Sequence, residues 1–186
     1  MSACPDLLIE FNTFTILGRC ARTGALGVVM ATGEMAVGSR VPFVEDGVGA
    51  VATQALTDPR LGRKGLELLK AGRTAAETLE ALVTFDPHIE SRQLGIVDAT
   101  GLAAARTGTS NSDWKGHIAE NGFVSMGNRL TGAHVVDAMA DRFRSAEDAP
   151  LWERLMLSIE AGRDAGGQHG GQRSAALFVC DNLDYP

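Results

Sequence analysis

Cysteine is scarce in this chain. Cys4, Cys20 and Cys180 form an odd set with no Cys-x-x-Cys spacing. Such a set supplies no disulfide framework and reads as free thiols in a reducing compartment. Long apolar runs are missing too, and none approaches the ~20 residues a membrane helix requires. Residues 1–12 hold only Leu7-Leu8-Ile9 as an apolar stretch, interrupted by Asp6 and Glu10. That is too short and too acidic for a secretory signal, so the expectation is a cytoplasmic protein with no membrane contact. Lys and Arg are not clustered, and the net charge is −6, which argues against a nucleic-acid partner. No pair of His, Cys or acidic residues has metal-ligand spacing, so no metal site is expected, and no cofactor. Linkers, low-complexity segments and long internal repeats are likewise missing.

What remains is an ordinary globular composition with one excess. The 186 residues are 45% hydrophobic and 22% charged, most simply one domain with a full core. Glycine stands at 22 residues, about 12% of the chain against an average near 7%. The glycines gather at strand ends and turns, which predicts tight connections and closely packed sheets.

The chain is organised around Gly47–Pro59, GVGAVATQALTDP. Gly47 to Ala52 is small and apolar, the pattern of a strand buried on both faces. It ends in Thr53-Gln54, a hydroxyl and an amide, before Asp58-Pro59 breaks the run. An apolar strand with a polar tip is a place where a site can be built, and equally an ordinary core strand meeting a turn. Gly47-x-Gly49-x-x-Ala52 approximates a dinucleotide fingerprint, but it lies inside the strand and Pro59 separates it from the next helix. Gly166–Ser174 resembles a phosphate loop, yet runs from helix to strand and carries Arg173 where lysine belongs. A glycine-shaped connection is the simpler reading, with Arg173 and backbone amides as an anion-binding alternative.

Around the central strand the chain reads in blocks. Residues 13–19 and 25–32 form a hairpin across a glycine turn, and 33–46 is irregular. Helices are predicted over 60–71, ending at Gly72, and from the capping box Thr74-Ala-Ala-Glu77 to about 84. A second hairpin spans 92–107, 111–116 is loop, and 118–126 is one strand broken by Asn121-Gly122. Helices over 131–146 and from Pro150 to about 162 precede a last strand at 174–180. The order is strands, two helices, strands, two helices, strand. It predicts an α+β protein in which two mainly antiparallel sheets stack with helix pairs outside, a four-layer αββα sandwich.

Several segments, in order, resemble a known family: TFTILGRCARTGALGVVMAT, AVGSRVPF, GVGAVATQALTDPRLGRKGLELL, SRQLGIVDATG, DWKGH, GNRLTG and the closing SAAL. They are similar to the bacterial family filed as domain of unknown function 1028. The resemblance runs from Thr13 to about Val179 and makes residues 1–12 an N-terminal extension to a single domain, 13–186. It implies the N-terminal-nucleophile (Ntn) hydrolase fold, which is αββα, and association into homo-oligomers through outer helices. This chain departs from the family pattern at Cys20-Ala21, where Asp-Pro is usual. Gln168 stands where an acid is expected, and Gly170 where a base is.

In Ntn hydrolases the first residue is the nucleophile and its own α-amine the base. Residue by residue, that role falls on Thr13, which otherwise is simply a strand former. Preceded by twelve residues, Thr13 has an amide nitrogen, which is no base. Extended Ntn chains free the nucleophile by self-cleavage, here at Asn12–Thr13, and residues 1–12 are expected to pack over the sheet ends in the uncleaved state. Asn128 and Gln54 are candidate oxyanion donors. Arg19, Ser39, Arg40 and Thr53 are candidates to hold substrate, together with Arg173. His117, in the Gly-His of DWKGH, is a candidate acid or base, or a structural histidine. Two functions stand: an Ntn-type hydrolase of amide or other C–N bonds in a small-molecule substrate, and a non-catalytic small-molecule-binding or assembly protein on the same fold. The changes at Cys20, Gln168 and Gly170 motivate the second.

Overall fold

A computed structural model describes residues 12–181 of the chain. The expected packing of residues 1–12 concerns a segment that, but for Asn12, lies outside the described residues.

The first hairpin is β1 (Thr13–Arg19) and β2 (Leu26–Thr32), both buried almost throughout. A 3-10 turn at Val37–Ser39 leads to β3 (Pro42–Glu45) and then β4 (Gly49–Ala55), the central apolar run, buried at every position. Helix α1 (Pro59–Lys70) starts where the apolar run breaks. Asp58 is its N-cap, accepting from the Arg60 N–H, and Pro59 occupies the first turn, where a missing N–H costs nothing. Helix α2 (Ala75–Phe85) opens on the expected capping box, with both Thr74 and Glu77 bonds made. Then come β5 (Arg92–Asp98), β6 (Ala103–Thr107), β7 (Gly116–Glu120) and β8 (Phe123–Asn128). Helices α3 (Ala133–Ser145) and α4 (Leu151–Asp164) precede β9 (Ser174–Cys180).

Two expectations are corrected. The stretch 33–46 is not irregular throughout: β3 lies within it as a short edge strand. Its proline sits at the first position, where no ladder bond is lost. Residues 118–126 are not one broken strand but parts of two, β7 and β8. Asn121-Gly122 is their hairpin turn, with Gly122 at φ 93°.

The strands form a five-stranded sheet, β7-β8-β1-β2-β9, and a four-stranded sheet, β3-β4-β5-β6. Every strand pair in both is antiparallel. Alternation along the strands sorts the apolar side chains into three clusters. Phe14, Ile16 and Val29 meet Met139, Phe143 and Leu155 of α3 and α4. Val51, Leu94 and Ile96 meet Leu61, Leu69 and Leu82 of α1 and α2. The remaining cluster joins the two sheets: Leu17, Val28, Met30, Val124 and Met126 against Ala50, Ala52 and Val97. The sheets approach closely at Gly95, where a Cβ would lie 2.9 Å from Leu17 and 3.1 Å from Val124. Among the described residues, no helix is long and apolar enough to cross a membrane.

Candidate functional site

The face shared by the sheets is apolar along most of its length and polar at one end. Thr13 opens β1 there, 1% exposed, directly across from Thr32 on one side and Asn128 on the other. On the opposing sheet Gln54 and Gln93 are register partners on β4 and β5. Thr13, Thr15, Thr32, Gln54, Gln93 and Asn128 are all buried. None carries a charge, so burial here requires hydrogen bonds rather than counter-ions.

The bonds are made, and their polarity is forced. Gln93 Nε2 lies 3.1 Å from the Gly116 carbonyl and 2.9 Å from the Gly127 carbonyl, which only accept. Gln93 Oε1 is therefore an acceptor, and it receives Gln54 Nε2 at 2.7 Å and Asn128 Nδ2 at 3.1 Å. Gln54 Oε1 in turn accepts the Thr15 hydroxyl at 2.5 Å. The same Gln54 nitrogen donates to the Thr13 carbonyl at 3.4 Å. Asn128 Oδ1, fully buried, has no partner among the described residues. The residues that follow the two tip amides, Ala55 and Arg129, have φ of 67° and 51°. Left-handed backbone at non-glycine residues costs about 1–2 kcal/mol each and collects where side chains are held for a purpose.

At Thr13 a second chain of bonds reaches the preceding peptide. The Asn12 carbonyl accepts Thr32 Oγ1 at 2.7 Å and the Gly33 N–H at 3.1 Å. Because Thr32 donates its proton to that carbonyl, its oxygen is the acceptor for Thr13 Oγ1, 3.1 Å away. The Gln168–His169 loop closes beside it. His169 C=O accepts Asn12 Nδ2 at 2.8 Å, and Gln168 is buried with its Oε1 unpartnered among the described residues.

The structure gathers some of the candidates and scatters others. Thr13, Gln54 and Asn128 share the polar end, with both amides committed to Gln93. Thr53 faces the other way, in step with Val51 toward α1 and α2, its hydroxyl unpartnered among the described residues. Arg19 ends β1 under the Gly101 turn, six residues from Thr13 and thus about 20 Å away along the strand. The Ser39 hydroxyl bonds to Ala36 C=O and Arg40 to Met35 C=O, local contacts around the 3-10 turn. Arg173 is exposed and donates its backbone N–H to Thr32 C=O, at the Thr13 end. His117 is exposed on β7, two strands from Thr15, and reaches the network through Thr107. Its Nδ1 is 2.8 Å from Thr107 Oγ1, which is 2.8 Å from Gln93 Nε2. Desolvation of its ring holds its pKa below the ordinary imidazole value. Sequence reasoning missed Gln93, Thr15, Thr32 and Thr107. The i, i+2 spacing of Thr13 and Thr15 was a signal for one of them.

Among the described residues, fold and site together define an α+β protein of two antiparallel sheets and four α-helices, with a buried network of uncharged polar groups at one end of the sheets. A family model described as "Family of unknown function (DUF1028)" matches residues 13–186, and the chain belongs to that family. The crystal structure of protein SPO2555 from Silicibacter pomeroyi, assigned to the same family, matches with a TM-score of 0.84 at 32% identity. The match covers 91% of this chain and 76% of that one. A search of curated proteins returned no match. Five of the seven segments on which the family resemblance rests converge in space: Thr13 and Thr15, Gln54, Gln93, His117 and Asn128 come one or two from each of the five.

Proposed function

We propose that the chain is an Ntn-type hydrolase, cutting an amide or other C–N bond in a small metabolite with Thr13 as nucleophile. The antiparallel sheets, joined by one apolar cluster and each backed by a helix pair, support reading the fold as the four-layer Ntn-like sandwich. The observation that carries the proposal is the cradle around the Asn12 carbonyl. Its two donors, Thr32 Oγ1 and the Gly33 N–H, sit beside the Thr13 hydroxyl. An acyl carbonyl attacked by Thr13 Oγ1 develops negative charge on oxygen, and two preset donors are what that charge requires.

The chemistry needs a free α-amine on Thr13. That amine takes the hydroxyl proton as Oγ1 bonds to the carbonyl carbon, then passes it to the departing nitrogen as the C–N bond breaks. Water hydrolyses the remaining ester. In the chain as described Asn12 precedes Thr13; there Thr13 Oγ1 would bond to the Asn12 carbonyl carbon, its proton passing to the Thr13 nitrogen as the Asn12–Thr13 C–N bond breaks, and water would hydrolyse the resulting ester to free the amine. Gln54 and Asn128 then act as supports, Gln54 donating to the Thr13 carbonyl and Asn128, across from Thr13 on β8, donating to Gln93.

A panel of small amides incubated with wild type and Thr13→Ala, with intact mass followed in parallel, tests this. Turnover in wild type that disappears in Thr13→Ala is the expected result, with a species beginning at Thr13. Equal turnover in both discards the Thr13 mechanism. The burial of Thr13 at 1% exposure and the replacement of an acid by Gln168 favour the rival reading, a binding protein. That reading predicts no turnover and an unchanged mass.

A further inference from the structure

On the outer side of the network, away from Thr13, a groove of about 530 Å³ opens between α2 and the edge strands β6 and β7. Small-molecule sites commonly occupy ~300–1,000 Å³, mostly apolar with a few placed polar groups. Leu79 and Val83 of α2 and Ala105 of β6 form the apolar wall, and Thr107 and His117 the polar end.

The network fixes what His117 offers. Gln93 Nε2 has no lone pair to accept with, and its two protons are shared among the Gly116 and Gly127 carbonyls and Thr107 Oγ1, so the Thr107 hydroxyl proton is turned away from it. His117 Nδ1, 2.8 Å away, is an acceptor within its reach. With Nδ1 accepting that proton, neutral His117 carries its own on Nε2, the nitrogen left for a ligand. Desolvation of the ring also opposes charge on it.

Charge around the groove selects further. Arg106 lines it but is ion-paired with Glu90. Glu80 lines it with no ion pair among the described residues. One uncompensated carboxylate beside a neutral imidazole disfavours an anion and suits a ligand that both accepts and donates hydrogen bonds.

We propose that this groove binds a small uncharged carboxamide, its carbonyl oxygen on His117 Nε2–H, its apolar body on Leu79 and Val83, and its NH₂ toward Glu80. No covalent step is involved, so the site stands or falls independently of Thr13 as a nucleophile.

The probe is isobutyramide, titrated into the full chain carrying isotope-labelled histidine and followed at His117 by long-range proton–nitrogen correlation. Near neutral pH the free protein should show the Nε2–H tautomer, and isobutyramide should shift His117 saturably. Isobutyrate, the same shape with a negative charge, should bind at least about tenfold more weakly. Val83→Trp, which fills the groove, should lower isobutyramide affinity by at least about tenfold, while Thr13→Ala leaves it unchanged. If Val83→Trp does not fold, Thr84→Trp at the exposed rim takes its place. An Nδ1–H tautomer, no saturable shift, isobutyrate binding as tightly as the amide, or full affinity in the filled groove would each overturn the proposal.

Discussion

Gln93 is where the two sheets exchange hydrogen bonds at their polar end. Its oxygen takes two amide donors, while the two protons of its nitrogen are shared among two backbone carbonyls and a hydroxyl. Only a primary amide of this length presents both functions at once; methionine matches its length and volume and presents neither. Gln93→Met therefore leaves the Gly116 and Gly127 carbonyls and the Gln54 and Asn128 amides short of partners, in a place nearly closed to water. Each unsatisfied buried group costs about 1–3 kcal/mol, and relaxation recovers part of that. We expect unfolding free energy to fall by about 4 kcal/mol, at the exceptional end for a single substitution, measured from urea denaturation midpoints at constant m. A loss under about 1 kcal/mol would mean that water enters and replaces the amide. Gln93 was not legible beforehand for a physical reason. Its importance comes from facing Gln54 across β4 and β5, and register between distant strands is not written in either segment alone.

The residue next to it ties whole elements together. Arg92 begins β5 with its side chain on the helix side, 7% exposed. Its Nε is 2.7 Å from Asp86 Oδ2 at the C-cap of α2, and another guanidinium nitrogen is 3.8 Å from Asp58 Oδ2 at the N-cap of α1. It also donates to the Leu56 carbonyl in the connection from β4. Both carboxyls are held below the ordinary aspartate value of 3.8. For Asp58 the Arg60 side chain contributes most, against burial, with Arg92 adding to it. For Asp86 burial pushes up but is outweighed by the bonds from Arg92 and the His88 N–H. Depressed carboxyls add stability that is fully present above the unfolded pKa and lost as pH falls through the folded one. Arg92→Met strands the buried Asp86 carboxylate and leaves Asp58 with Arg60 alone, so it should destabilise by about 3–5 kcal/mol near neutrality. The gap from wild type should close below about pH 3.8, in denaturation curves taken across an acid series. A gap independent of pH would assign the loss to packing instead. At this scale local chemistry was readable where it is self-contained. The Thr74–Glu77 box and the Gly72 stop needed no partner, whereas β3, four residues long, is a strand only because β4 pairs with it.

Across the molecule, the order of strands and helix pairs predicted two stacked antiparallel sheets. The composition of the central run predicted that β4 would be buried. Neither indicated which of Thr53 and Gln54 points between the sheets, because alternation places one on each face without saying which. Nor could they show that Thr32, the last residue of an apolar strand, stands across from Thr13 and holds the carbonyl before it. That arrangement carries a prediction about the molecule as a whole. While Asn12 is attached, its carbonyl occupies both donors and Thr13 has no basic nitrogen. A chain whose first residue is Thr13 vacates Thr32 Oγ1 and the Gly33 N–H for a substrate carbonyl. It also gains an α-amine with a pKa of roughly 7.7–8.0, able to take the hydroxyl proton at neutral pH. We expect this shortened chain to hydrolyse amides that the full chain leaves intact, unless the full chain first loses its leading residues. Its rate should rise with pH as the amine deprotonates and level off above about pH 8. Thr32→Val in the shortened chain removes one donor while keeping the strand, and should lower kcat by about 10²–10³ with little change in KM. Equal rates in the full and shortened chains, with no scission of the former, would exclude the α-amine as base. The reaction would then need a different proton acceptor, and the His117 imidazole is linked to Thr13 through Thr107, Gln93 and Gln54.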